Sequence, residues 1–218
     1  CVLTGALVGL ISGTLVSRLK IPPFIATLGM MMVTKGLSLV LSGAKPVYYP
    51  DGWNKIALGN IIPGIPNAVL IFVAAAILAT FLLNKTLLGR YDFAIGSNEE
   101  ATRLSGVNVK KWLTIIYMVA GAFCGVAGML MSSRLGSAQP ALGQGYELEA
   151  IAAVVIGGTS LSGGSGTILG TVIGAFIMSV LTSGLKIMAV PQEWQTVVIG
   201  GVVILAVYID ILRKRKQA

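Results

Sequence analysis

The chain has 218 residues, of which 55% are hydrophobic and 11% charged, with a mean hydropathy of +0.87 and a formal charge of +8. A soluble domain carries about 25% charged residues, so this composition excludes a soluble fold and selects one polytopic membrane domain over 1–218, with the lipid bilayer as its solvent. With no histidine and only Cys1 and Cys124 as thiols, the common zinc, haem and iron donor sets and a disulfide framework are excluded, and no metal or cofactor is expected.

The sequence opens on Cys1, followed at once by VLTGALVGLISGTLV. A lipoprotein would continue from its cysteine into a polar tether, so the start reads as the truncated end of a longer membrane protein. A hydrocarbon core takes about 20 helical residues. Five apolar stretches meet or approach that length: Val2 to Val16, Phe24 to Leu41, Ala68 to Leu83, Leu113 to Met131 and Thr196 to Leu212. Glycines four apart, at 5 and 9, 9 and 13, 121 and 125, and 170 and 174, predict helices in close contact. Lys35, inside the second stretch, is either an intramembrane functional charge or a stem that snorkels to the nearer interface. After that stretch, PVYYPDGWNKIALGNIIPGIPN (46–67) mixes aromatics, Pro and Gly, and reads as an ordered cap or as a plain connector.

The next long loop, about 84–112, contains NKTLLGRYDFAIGSNEEATRLSGVNVKK. Ser97 or Asn98, followed by Glu99 and Glu100 and then by Ala101, Leu104 and Val107 at helical spacing, predicts a capped short helix with acids in its first turn. Gly106 would end it. A rigid peg of this kind suits a protein that takes up mechanical work from a soluble partner; a solvated turn is the plainer reading.

A sixth region, about 150–185, is apolar at both ends and interrupted by VVIGGTSLSGGSGTILG, Val154 to Gly170. A phosphate-binding loop needs a lysine and a preceding strand, but no lysine lies between Arg134 and Lys186. The tract instead reads as a helix break. Gly157, Gly158, Gly163, Gly164 and Gly166 supply conformational freedom, and Thr159, Ser160, Ser162, Ser165 and Thr167 supply hydroxyls for freed backbone groups. Irregular backbone at membrane depth survives only inside protein or against water, so the tract is either a structural turn or the lining of a pathway. Gly157, Gly158, Thr159, Ser160 and Ser162 are the pathway candidates there.

Basic residues mark the cytoplasmic side. Arg18 and Lys20, then Lys85, Arg90, Arg103, Lys110 and Lys111, then the tail Arg213, Lys214, Arg215 and Lys216 fall on one side, leaving Lys45, Lys55, Arg134 and Lys186 on the other. This bias argues for membrane orientation and against a nucleic-acid partner. It also requires both flanks of 150–185 to lie outside, so that region is a broken, re-entrant hairpin, with Tyr146, Glu147 and Glu149 at its outer mouth. Asp210 and Arg213, three apart at the inner end of the last helix, are expected to pair.

Four segments then carry a resemblance: IPPFIATLGMM (21–31), GRYDFAIGSNEEATRLSGVNV (89–109), SSRLGSAQPALGQGYELEAIAAVVIGGTSLSGGSGTILGTVIGA (132–175) and WQTVVIGGVVILAVYIDILRKR (194–215). Together they resemble the permease subunit of ribose-type simple-sugar ABC importers, over nearly the whole chain. The resemblance implies an all-α membrane protein in the bacterial inner membrane, carrying ribose, xylose, galactose or a similar sugar and performing no catalysis of its own. It implies a cytoplasmic ABC ATPase, a periplasmic or extracellular sugar-binding protein and a second permease copy as partners. It makes Gly96, Ser97, Asn98, Glu99, Glu100, Ala101, Arg103, Leu104 and Gly106 the coupling segment for the ATPase. The alternatives are a branched-chain amino acid permease of the same superfamily and a channel with a re-entrant loop.

Overall fold

The structure, a computed structural model, describes residues 1–50 and 52–215. Among the described residues, ten helices and one two-stranded ribbon make an all-α membrane fold: α1 (Val2–Leu19), α2 (Pro23–Ser42), β1 (Val47–Tyr48), α3 (Lys55–Leu58), α4 (Asn67–Lys85), α5 (Leu87–Ser97), α6 (Glu99–Leu104), α7 (Val109–Leu135), β2 (Ser137–Ala138), α8 (Tyr146–Ile156), α9 (Ile168–Ile187) and α10 (Gln192–Arg215). Among the described residues α1, α2, α4, α7 and α9 are long and apolar enough to cross a membrane, and α10 carries a shorter apolar run over Gln192–Tyr208. The sequence places the first four of these; it misses that the second arm of the broken region is itself a full span.

The most extensive packing joins α1 to α7 in antiparallel array. The glycine spacing is the cause. A Cβ on Gly5 would run into the Gly121 carbonyl, one on Gly9 into the Tyr117 carbonyl, and one on Gly125 would lie 2.5 Å from the Cys1 carbonyl. With no side chains between them the backbones meet directly, which is how membrane helices associate where water drives nothing together. Ser17 and Thr114 close the seam at one end with hydroxyls 2.9 Å apart.

That contact also sorts the loops. The turn after α1 and the segment 99–113 share a groove on one face. On the opposite face the 46–67 segment is an ordered cap on the end of α7. Its strand β1 pairs antiparallel with β2, Val47 opposite Ala138 and Tyr48 opposite Ser137. The fully buried Ser133 donates to the Trp53 carbonyl at 2.8 Å and accepts the Ala57 N–H at 3.1 Å. Asn67 holds the cap's return, accepting from Ile61 N–H and donating to the Lys55 carbonyl, each at 3.0 Å. The face bearing the 84–112 loop is called the basic face below.

The second packing centre is α8 against α9 and α10, around Ala152, Ala153 and Met178 with Ile156, Ala175, Leu181, Ile199, Val202 and Val203. Here too small residues set the distance: a Cβ on Gly170 would strike the Gly157 carbonyl, and one on Gly174 the Ala153 carbonyl. The broken region is thus a helical hairpin, α8 descending, a turn, and α9 returning.

Candidate functional site

The segment expected to couple to an ATPase folds as its residues dictate. Asn98, extended, accepts the Ala101 N–H on its side chain at 2.9 Å and caps α6. Glu99 and Glu100 occupy the first turn, where the helix dipole favours acids. Glu100 pairs with Arg103 at 3.6 Å, both side chains well exposed. Gly106, at φ +85°, lets the chain turn away, and Asn108 caps α7 by accepting the Lys111 N–H at 3.1 Å. The apolar face is not what the spacing suggests: Thr102 is the buried residue, whereas Leu104 is 79% exposed on the basic face.

Gly96 and Ser97 end the preceding helix, α5, which folds back from α4 so tightly that a Cβ on Gly89 would collide with the Leu83 carbonyl. Tyr91 of α5 rests on Trp112 of α7, ring centroids 4.7 Å apart. Residues 96 to 106, expected from the sequence to couple to an ATPase, thus run across the end of α5, α6 and the following turn.

The pathway candidates divide. Gly157, Gly158, Thr159, Ser160 and Ser162 sit in the hairpin turn, while Tyr146 and Glu147 begin α8, eleven residues long and so about 16 Å from end to end. The turn lies on the basic face, beside the end of α4 and against α5. Its backbone is largely satisfied from within. Gly158 at φ +88° stops α8, its N–H on the Val155 carbonyl; the Ser160 N–H reaches the Ser165 carbonyl at 3.0 Å and the Gly163 N–H the Ser160 carbonyl at 3.1 Å. Of the hydroxyls, buried Ser160 accepts the Ser162 N–H at 3.3 Å and Thr167 caps α9 by accepting the Gly170 N–H at 3.1 Å. Those of Thr159, Ser162 and Ser165 make no hydrogen bond among the described residues.

A second irregular stretch lies at the far end of α8. The contacts of Gly157 with Gly170 and of Ala153 with Gly174 fix the antiparallel pairing. Extended, it sets Tyr146 level with Leu181, about 9 Å short of the end of α9 at Ile187. At that depth the chain arrives through Gly143 (φ +86°) and Gly145 (φ +91°), left-handed conformations that favour glycine. Glu147 accepts the Gly145 N–H at 3.1 Å. Tyr146 and Leu148 stand exposed on either side of it, 48% and 46%. α8 is a half-helix.

Two carboxylates have roles that the sequence does not give: a new partner for Asp210, and Asp92 altogether. Asp210 accepts the Leu161 N–H at 3.4 Å, tying α10 to the turn; the Arg213 side chain expected as its partner lies outside the described residues. Asp92 of α5 lines a cavity of about 190 Å³ against Thr159, Ser160, Ser165 and Thr167, and burial raises its pKa above the usual carboxylate range. A lone acid among apolar neighbours in RYDFAI is the signal that would have found it. Lys35 stays exposed on α2. No group of three or more metal-ligating side chains occurs among the described residues.

Comparisons with known proteins agree with the sequence resemblance. A family model described as "Branched-chain amino acid transport system / permease component" matches residues 1–207, and the chain belongs to that family. It is 43% identical over 211 residues to the ribose import permease protein RbsC of Escherichia coli (strain K12), covering 94% of this chain and 65% of that protein. It is 40% identical over 220 residues to the galactose/methyl galactoside import permease protein MglC of Haemophilus influenzae, covering 98% of this chain and 66% of the relative. It is 40% identical over 217 residues to the fructose import permease protein FrcC of Rhizobium meliloti, covering 94% of this chain and 59% of the relative. The chain thus spans just under two thirds of the length of these relatives. No solved structure matches it.

Proposed function

Taking membership in this permease family as the premise, we propose that the chain forms part of the membrane pathway of an ATP-driven importer for a simple sugar in the bacterial inner membrane. The relatives' printed names, ribose, galactose and fructose import permeases, support a sugar over other solutes. The chain moves solute and leaves ATP hydrolysis to a cytoplasmic ABC subunit; a sugar-binding protein delivers the solute, and a second permease copy completes the pathway.

The observation that carries this reading is the lead-in to α8. Backbone with left-handed Gly143 and Gly145, half-buried beside the exposed Gln144, Tyr146, Glu147 and Leu148 and short of the end of α9, is tolerable within a membrane only against water or protein. A pathway at the junction of α8 with a partner surface supplies both. Tyr146 and Glu147 line its mouth, and Gly157 to Ser162 close its far end on the basic face. The α6 peg, capped, ion-paired and presenting Leu104 outward, is the docking point for the ATPase.

The test is uptake of radiolabelled ribose, galactose and fructose by vesicles holding the complete transporter. One or more sugars accumulate with ATP, and replacing Glu100 and Arg103 together with alanine lowers both ATPase association and uptake. Unchanged association and uptake in that variant sink the coupling assignment. The family description favours a second reading, a branched-chain amino acid permease; competition by leucine but not ribose would establish it.

A further inference from the structure

The hairpin turn and the coupling segment meet chiefly backbone to backbone. A Cβ on Gly96 would lie 2.7 Å from the Gly164 nitrogen and 3.2 Å from the Gly163 Cα, and one on Gly163 would lie 2.8 Å from the Gly96 carbonyl oxygen. Gly163 and Gly164 are left-handed, at φ +85° and +78°, and so present backbone where another residue would carry a side chain. The adjacent Ser97 abuts Gly164, its Cα 3.0 Å and its Cβ 3.1 Å from Gly164's would-be Cβ. A side-chain contact absorbs small displacements by changing rotamer; backbone against backbone has no such slack.

Beside this contact lies the cavity of about 190 Å³ between Asp92 and Phe93 of α5 and Thr159, Thr167 and Thr171 of the hairpin. A rigid contact flanked by a void is a pivot, because α5 can rock about Gly96 into open space. On the hairpin side, the turn continues directly into α8, whose other end is the half-helix terminus at Tyr146. The Asp210–Leu161 hydrogen bond restrains the turn from the side of α10.

We propose that Gly96, Gly163 and Gly164 form the contact through which motion of the coupling helix reaches the pathway. A displacement of α6 swings the end of α5, Gly96 pushes the turn, and α8 shifts as a unit so that its terminus at 146 changes its distance from the α1–α7 pair. These glycines are positioning residues, acting through α8 and not by touching solute. The inference rests on the importer reading and adds the internal route.

Gly96→Ala isolates the contact. Position 96 has ordinary helical backbone, so alanine favours α5 itself while wedging the turn away. Gly128→Ala, with nothing within 4 Å, is the control. The full chain, assembled with its ATPase in a Cys1→Ser, Cys124→Ser background, carries nitroxide labels at Leu3 on α1 and at either Ser105 or Leu148. In the parent, ATP with vanadate shifts both distances. In Gly96→Ala it shifts the Ser105 distance but leaves the Leu148 distance within its nucleotide-free width, the ATPase still co-purifies, and uptake falls about tenfold or more. A Leu148 shift that survives in Gly96→Ala overturns the proposal, as does loss of ATPase binding, which would make Gly96 a docking residue. The parent alone also tests it: a Ser105 shift with a still Leu148 excludes the route even if the variant does not accumulate. If neither distance responds while ATPase is bound, the importer reading falls, and the route with it.

Discussion

Glycine does two different jobs in two seams of this molecule. Along α1 and α7, Gly5, Gly9, Gly13, Gly121 and Gly125 all keep helical backbone and serve only to let two helices touch. Between α8 and α9, Gly157, Gly170 and Gly174 do the same, but Gly158, Gly163 and Gly164 also take left-handed conformations that reverse the chain. The first seam needs space; the second needs space and direction. One substitution, glycine to a larger residue, therefore fails for separable reasons in the two places.

The largest effect is expected where space is the whole requirement. Gly121→Leu drives a side chain into the Gly5 carbonyl and should cost about 3 kcal/mol, the upper end for overpacking, seen as a collapse of the detergent unfolding midpoint. Gly163→Ala combines a left-handed φ with contact on the Gly96 carbonyl, so it should lose more stability than Gly158→Ala, whose φ is +88° but whose surroundings are open. Gly158→Ala carries only the backbone strain, about 1–2 kcal/mol. Equal losses in the two variants would show that the contact with α5 adds nothing. Thr167→Ala removes the α9 cap and should cost about 1 kcal/mol, with serine restoring it.

Asp92 gives a pH test of the same region. Its pKa is raised in the folded chain by burial, so the folded state favours the neutral carboxyl. The corresponding stability is fully present below the unfolded pKa and is lost as pH rises through the folded value. Asp92→Asn should therefore raise the unfolding midpoint at neutral pH, and the gain should vanish in acid; an equal gain at both pH values would assign it to packing instead. The smallest effect belongs to the Glu100–Arg103 pair. Both partners are exposed, and breaking it with Glu100→Gln should cost no more than about 0.5 kcal/mol, so any large loss of transport in that variant reports docking and not folding.

The two seams were not equally readable. Four-residue glycine spacing marks faces of α1 and α7 made for close packing, because helix periodicity alone brings Gly5, Gly9 and Gly13 to one face; that these two faces meet each other is seen only in the fold. The α6 cap was readable for the same local reason, Asn98 and two acids before an apolar pattern. The hairpin was visible as a break and its two flanks as lying on one side, through charge. Its depth was not. Whether the break at 157–167 or the lead-in at 143–145 stays within the membrane depends on which residues of α8 and α9 pair, and pairing is a tertiary fact. Asp210 likewise has a natural partner three residues on, and only the folded arrangement puts the Leu161 N–H against it.

The α1–α7 seam has a consequence of another kind. Where Gly5, Gly9, Gly121 and Gly125 let main chain rest on main chain, there are no rotamers to exchange, so that stretch of the seam gives little under load. A machine that converts a push into an opening requires something that does not yield. In the importer proposed above, the mechanical ground would be this line of missing side chains, and every substitution that fills it would soften the frame against which the hairpin works.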